Sequence, residues 1–130
     1  MRPDVTALRQ VFRGTVVTPF DPGYEAARVL FNTRFRTRPA VLCQCAGTGD
    51  VVAAVRFARD AGLPVAVRGG GHDAGGLSLV DQGVVIDVNG LRDVAFDRDT
   101  ATVTVGPGVS LTPIAPATPP RGSSCMYAVE

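Results

Sequence analysis

From residue 41 onward the hydrophobic pattern reads strand, helix, strand, and after residue 83 it turns purely β. Val41 to Cys45 is a short apolar run of strand length. The next segment predicts a helix, with Thr48 as N-cap and Asp50 in the first turn. Val51, Val55 and Ala58 recur at helical spacing and give it an apolar face. Arg56 and Arg59 sit late, where they favour the helix dipole. Gly62 followed by Pro64 stops it. Val65 to Arg68 returns as a strand, so residues 41–68 form a βαβ unit. Val84 to Val88 is almost continuously apolar, as in a strand buried on both faces. Asn89-Gly90 marks a turn. Asp93–Asp97 and Ala101–Val105 alternate around Arg98-Asp99-Thr100 and predict a hairpin, closed by Gly106-Pro107-Gly108.

Upstream, residues 4–12 predict a short helix ending near Gly14, and Pro19, Pro22 and Gly23 punctuate a loop. Tyr24 to Asn32 predicts a second helix packing Ala27, Leu30 and Phe31. Arg34 to Arg38 is either a solvated stretch or a basic rim over a phosphate site. Downstream, Pro113, Pro116, Pro119 and Pro120 exclude a regular helix. Three regions follow: a helical lead-in (1–36), a compact body (37–111) and a Pro-rich tail (112–130). The expected class is α+β, α/β-like, with a βαβ unit followed by antiparallel strands.

Composition removes several function classes. At 130 residues the chain has the size of one domain. A formal net charge of +1 gives no reason to expect nucleic acid or an anionic membrane as partner. The 13 basic residues are all Arg, which excludes Lys-based Schiff-base or general-base chemistry. No apolar run has membrane-spanning length, the N-terminus has no signal pattern, and the expected location is the cytoplasm. Cys43 and Cys45 share one face of a strand, and with Cys125 the count is odd. With a single histidine they make a poor metal set, so no metal is expected and the thiols read as small buried side chains in a reducing compartment.

The chemistry concentrates in Val65-Ala-Val-Arg-Gly-Gly-Gly-His-Asp-Ala-Gly-Gly-Leu-Ser78. A strand ends at Arg68, three glycines follow, and then comes His72, the only histidine. Glycines let the backbone turn sharply and lie against a ligand with no Cβ in the way. Successive free N–H groups in such a turn form a concavity for phosphate oxygens. Gly69-x-Gly71-x-x-Ala74 fits the loose dinucleotide fingerprint, but that motif must open a helix and Gly75-Gly76 breaks one. A Walker loop needs a lysine. Against the alternative of a flexible surface loop, the flanking strands and Gly75-Gly76 make the stretch read as a strand-to-strand phosphate cradle, expected to face a cleft, with His72 beside whatever the phosphates carry.

These residues resemble the FAD-binding domain of the vanillyl-alcohol-oxidase/p-cresol-methylhydroxylase (PCMH-type) superfamily, in particular its berberine-bridge-like, FAD-linked oxidase branch. The resemblance rests on Arg38-Pro-Ala-Val41, on Asp50 to Pro64, on Val67-Arg-Gly-Gly-Gly-His72, and on Val85-Ile-Asp87 leading to Val105-Gly-Pro-Gly108. It implies that Arg68, Gly69, Gly70, Gly71, His72, Asp73, Gly76 and Ser78 bind FAD, and that His72 forms a covalent bond to the 8α-methyl carbon of the flavin. A neutral imidazole is a suitable nucleophile near neutral pH. Arg68 either neutralises phosphate or reaches solvent, and Asp73 either orients the imidazole or caps the turn. No catalytic residue is assigned. In the tail, Pro113 to Pro120 depart from the helix such domains carry, and Cys125 is a poor candidate for a second flavin bond.

The resemblance implies an FAD-dependent oxidoreductase passing a hydride from a small organic substrate to covalent FAD, with this chain supplying the cofactor side and lacking a substrate domain. The alternatives are a non-catalytic FAD-binding module and an inactive truncated form.

Overall fold

A computed structural model describes residues 3–110. Helix α1 (Thr6–Val11) leads into strand β1 (Thr15–Val17), and a short helix α2 (Tyr24–Ala27) follows. Strand β2 (Val41–Gln44), helix α3 (Thr48–Asp60) and strand β3 (Val65–Arg68) come next. Strand β4 (Val84–Asp87) then precedes the hairpin β5 (Val94–Asp97) and β6 (Thr102–Val105). The main sheet has the order β1-β2-β4-β3, and β5-β6 form a separate two-stranded sheet. β4 runs parallel to both β2 and β3, and β1 is antiparallel to β2.

The period of two along each strand divides the core into two layers. Val41, Cys43, Val84 and Ile86 point to one face, where Ala54 and Ala58 of α3 and Leu8 of α1 cover them. Leu42, Ala66 and Val85 point to the other, against Tyr24, Leu30 and Leu79. All four residues of β4 are buried, as its apolar run requires of a central parallel strand. The Tyr24 hydroxyl donates to Pro39 O at 2.7 Å and ties α2 to the entry of β2. Burial pushes the Tyr24 phenol above its ordinary range.

Several expectations need correction. The βαβ unit exists, but its strands are not neighbours: β4 inserts between β2 and β3. The first strand after the glycine loop is therefore parallel, and the antiparallel arrangement belongs to β5–β6. The second helix ends at Ala27 rather than Asn32, so Leu30 is buried while Phe31 is exposed. Residue 47, not Thr48, occupies the N-cap of α3, with extended backbone and no side-chain cap bond. The covered face of α3 is Asp50, Ala54 and Ala58, and Val55 faces outward. The tail, Cys125 included, lies outside the described residues.

Asp50 is the polar element of that face. Its carboxylate accepts from Arg13 N (2.8 Å), Gly14 N (2.9 Å) and Ala46 N (2.8 Å). Desolvation pushes its pKa up, but the backbone donors of Ala46, Arg13 and Gly14 outweigh it, and the net shift is downward. Gly14 can approach because it has no side chain: a Cβ there would lie 1.9 Å from Gln44 O.

Candidate functional site

Strands β3 and β4 end together in register at Arg68 and Asp87, and the loop 69–83 leaves from that edge. Ligands of open α/β sheets bind outside the carboxyl ends of parallel strands, so topology alone directs attention here. A cleft of about 390 Å³ opens at the ends of β2 and β4, lined by Gln44, Cys45, Asp87, Asn89 and Arg92 and by no residue of the glycine loop, which the sequence had placed against a cleft. The turn that closes the hairpin joins it from the other side. Gly106 N donates to Asp93 O (2.7 Å), Gly108 N donates to Leu91 O (2.9 Å), and Pro107 O lies 3.5 Å from where a Cβ of Gly69 would stand.

Arg68 and Asp87 form a buried ion pair, with side chains 8% and 7% exposed. Arg68 Nη2 donates to Asp87 Oδ2, and Nε donates to the same oxygen at 3.1 Å. Nη1 donates to Ala27 O at 2.7 Å. Asp87 Oδ1 accepts from Asn89 N at 3.0 Å. The guanidinium thus neither reaches solvent nor points freely at an anion; it locks the start of the loop to β4 and to the end of α2. The sequence reading missed Asp87. Its signal was a carboxylate inside a buried strand, which must find a cation or hydrogen-bond donors.

The glycine loop has the backbone that its composition predicts. Gly71 and Gly76 both have φ of +71°, the left-handed region that L side chains avoid. Among the described residues, the amides of Gly70, Gly71 and His72 donate to no other group. His72 follows at once, and its side chain is exposed. Its ring folds back over Gly70: an added Cβ there would lie 2.6 Å from His72 Cδ2. Phe31 also meets the imidazole, with ring centroids 5.2 Å apart and planes tilted by 48°.

Asp73 organises the second half of the loop. Its Oδ1 accepts from Gly75 N at 3.2 Å, its Oδ2 accepts from Leu77 N, and its carbonyl accepts from Gly76 N at 3.3 Å. Of the two roles left open for Asp73, the geometry shows the turn cap. Ser78 is buried beyond this cap, and Leu79 N closes the segment on Gly76 O at 3.2 Å.

The loop thus pairs a left-handed glycine and unpartnered amides with an exposed imidazole. Among the described residues no cluster of His, Cys, Asp and Glu is fit to hold a metal ion. Cys43 and Cys45 are free and buried. Desolvation is the main cause that pushes their thiols up to about 12 and about 11, which leaves them protonated and unreactive at neutral pH. No helix among the described residues is long and apolar enough to cross a membrane.

Comparison with known proteins agrees with this geometry. The family described as FAD binding domain matches residues 39–127. (R)-6-hydroxynicotine oxidase of Paenarthrobacter nicotinovorans is 34% identical over 97 residues, covering 75% of this chain and 21% of its own length. The FAD-linked oxidoreductase aurO of Gibberella zeae is 33% identical over 95 residues, covering 73% of this chain and 19% of its own. Among solved structures, BBE-like 1 of Physcomitrella patens superposes with a TM-score of 0.77 at 29% identity, over 86% of this chain and 25% of that one. The chain therefore spans about a fifth of the length of the curated relatives it matches. A family match across more than half of the chain, on a fold shared with the berberine-bridge-like flavoproteins, makes this chain a member of the PCMH-type FAD-binding domain family.

Proposed function

We propose that the loop from Gly69 to His72 holds the diphosphate of FAD through its backbone amides, and that His72 attaches the flavin covalently. Gly76 and Ser78 support the loop from behind, Asp73 caps it, and Arg68 fixes its first residue through Asp87. The observation that carries this reading is an exposed imidazole placed directly after a left-handed glycine whose neighbouring amides are open. With FAD held there, an imidazole nitrogen of His72 would bond to the 8α carbon at the cost of one N–H and one C–H bond, with dioxygen as the two-electron oxidant that leaves as hydrogen peroxide. Bound FAD supplies hydride acceptance. This chain's residues bind it, orient it and shield the strand ends beneath it.

The protein that carries this domain is, on this proposal, an oxidoreductase that takes a hydride from a small organic substrate. The names of its relatives support that class. Residues 37–111 are proposed as the cofactor-binding unit, with 1–36 as its lead-in and 112–130 as a separate tail. Two buried free thiols suit a reducing compartment, and we place the protein in the cytoplasm. The test is to purify the chain with FAD and denature it in acid. Yellow colour should stay with the wild-type pellet and pass to the supernatant in His72→Ala. Equal release from both would overturn covalent attachment, and failure of either to retain FAD before acid would overturn the cradle.

A further inference from the structure

The segment joining α2 to β2 lies along the glycine loop at three points. Leu30 Cδ2 would be 3.2 Å from a Cβ on Gly71, Phe31 packs on His72, and the Phe35 ring would be 2.6 Å from a Cβ on Gly76. Leu30 and Phe35 are buried and half-buried and belong to the core layer beneath the loop. Phe31 is 79% exposed and adds little to that core. Its backbone is nevertheless held, because Leu30 anchors one side and Asn32 turns the chain on the other. Phe35 N donates to Asn32 O at 3.3 Å, and Arg34 N donates to Asn32 Oδ1 at 3.2 Å. Phe31 is thus a large exposed ring on a held backbone with the His72 imidazole against it.

We propose that Phe31 is a positioning residue for His72. Its ring, together with the Gly70 backbone, packs against the imidazole, so the reactive nitrogen is held toward the 8α carbon instead of sampling its rotamers. Aromatic pairs at this spacing have preferred relative orientations worth about 0.5–1.5 kcal/mol. The proposal rests on the covalent reading of His72 given above. It makes Phe31 matter for the rate of attachment and not for the affinity of FAD.

His72 is the only histidine, so its ring protons are read directly by NMR in the flavin-free chain. Wild type, Phe31→Ala and Phe31→Tyr should be compared in that spectrum, in FAD affinity and in the rate at which flavin becomes acid-stable. Phe31→Ala should lose the ring-current shift of the imidazole protons and attach flavin roughly two- to tenfold more slowly, the range an aromatic pair supplies. Its FAD affinity should be unchanged, and Phe31→Tyr should restore both shift and rate. An attachment rate unaltered in Phe31→Ala overturns the proposal whatever the ring protons show. A wild-type chain that binds FAD and never attaches it refutes the covalent reading and this proposal together, an outcome visible before any variant is made.

Discussion

Arg68 shows how one residue at a strand end can fix the loop that follows it. A loop that must offer backbone amides needs a fixed origin, and here the origin is a buried charge pair at the ends of two adjacent strands. Breaking such a pair costs about 3–5 kcal/mol because the remaining charge is stranded, whereas replacing both partners with apolar residues is often neutral. Asp87→Ala should therefore lower the unfolding free energy by about 3–5 kcal/mol in urea melts, and Arg68→Met with Asp87→Leu should recover most of it. A double variant as unstable as the single one would contradict this. The left-handed glycine turn before His72 was legible because it is local to a few consecutive positions. The role of Arg68 was not, because its partner is 19 residues away and only the strand register brings them together.

At the scale of elements, two features set the loop's surroundings. Asp50 caps nothing in its own helix; it clamps the α1–β1 turn to the start of α3 through three backbone donors. A carboxylate whose folded pKa is depressed contributes stability that is present above its unfolded value and lost as pH falls through the folded one. Unfolding free energy should thus decline below about pH 4, and Asp50→Asn should be less stable at pH 7 with a flatter acid limb. An unchanged acid limb would remove the clamp from the account. The second feature is the short α2. Apolar residues at 24, 27, 30 and 31 do fit a longer helix, yet the Ala27 carbonyl accepts from Arg68 Nη1 and not from Phe31 N. A long-range contact overrode local periodicity, and it set Leu30, Phe31 and Phe35 against the loop. Gly76→Ala should then cost roughly 1–3 kcal/mol, since it adds a Cβ in the left-handed region and into the Phe35 ring. Gly75→Ala, where φ is not positive and the nearest side-chain atoms stand at 3.6 Å, is the control and should cost less in the same melts.

For the molecule as a whole, strands β2 to β6 were readable, while β1 (Thr15–Val17) and the strand order were not. Each run of β4, β5 and β6 announced itself by length and alternation, yet nothing local told β4 to insert between β2 and β3. That insertion matters, because it places Asp87 beside Arg68 and aligns the glycine loop with the hairpin's closing turn over one edge of the sheet. The remaining question is whether this edge grips its cofactor through the imidazole. The direct measurement is peptide mass mapping of the chain after incubation with FAD in air. The account predicts that the peptide containing His72, and no other, is heavier by one FAD less two hydrogens. An unmodified His72 peptide from a chain that has FAD bound, or a flavin carried on any other residue, would contradict it.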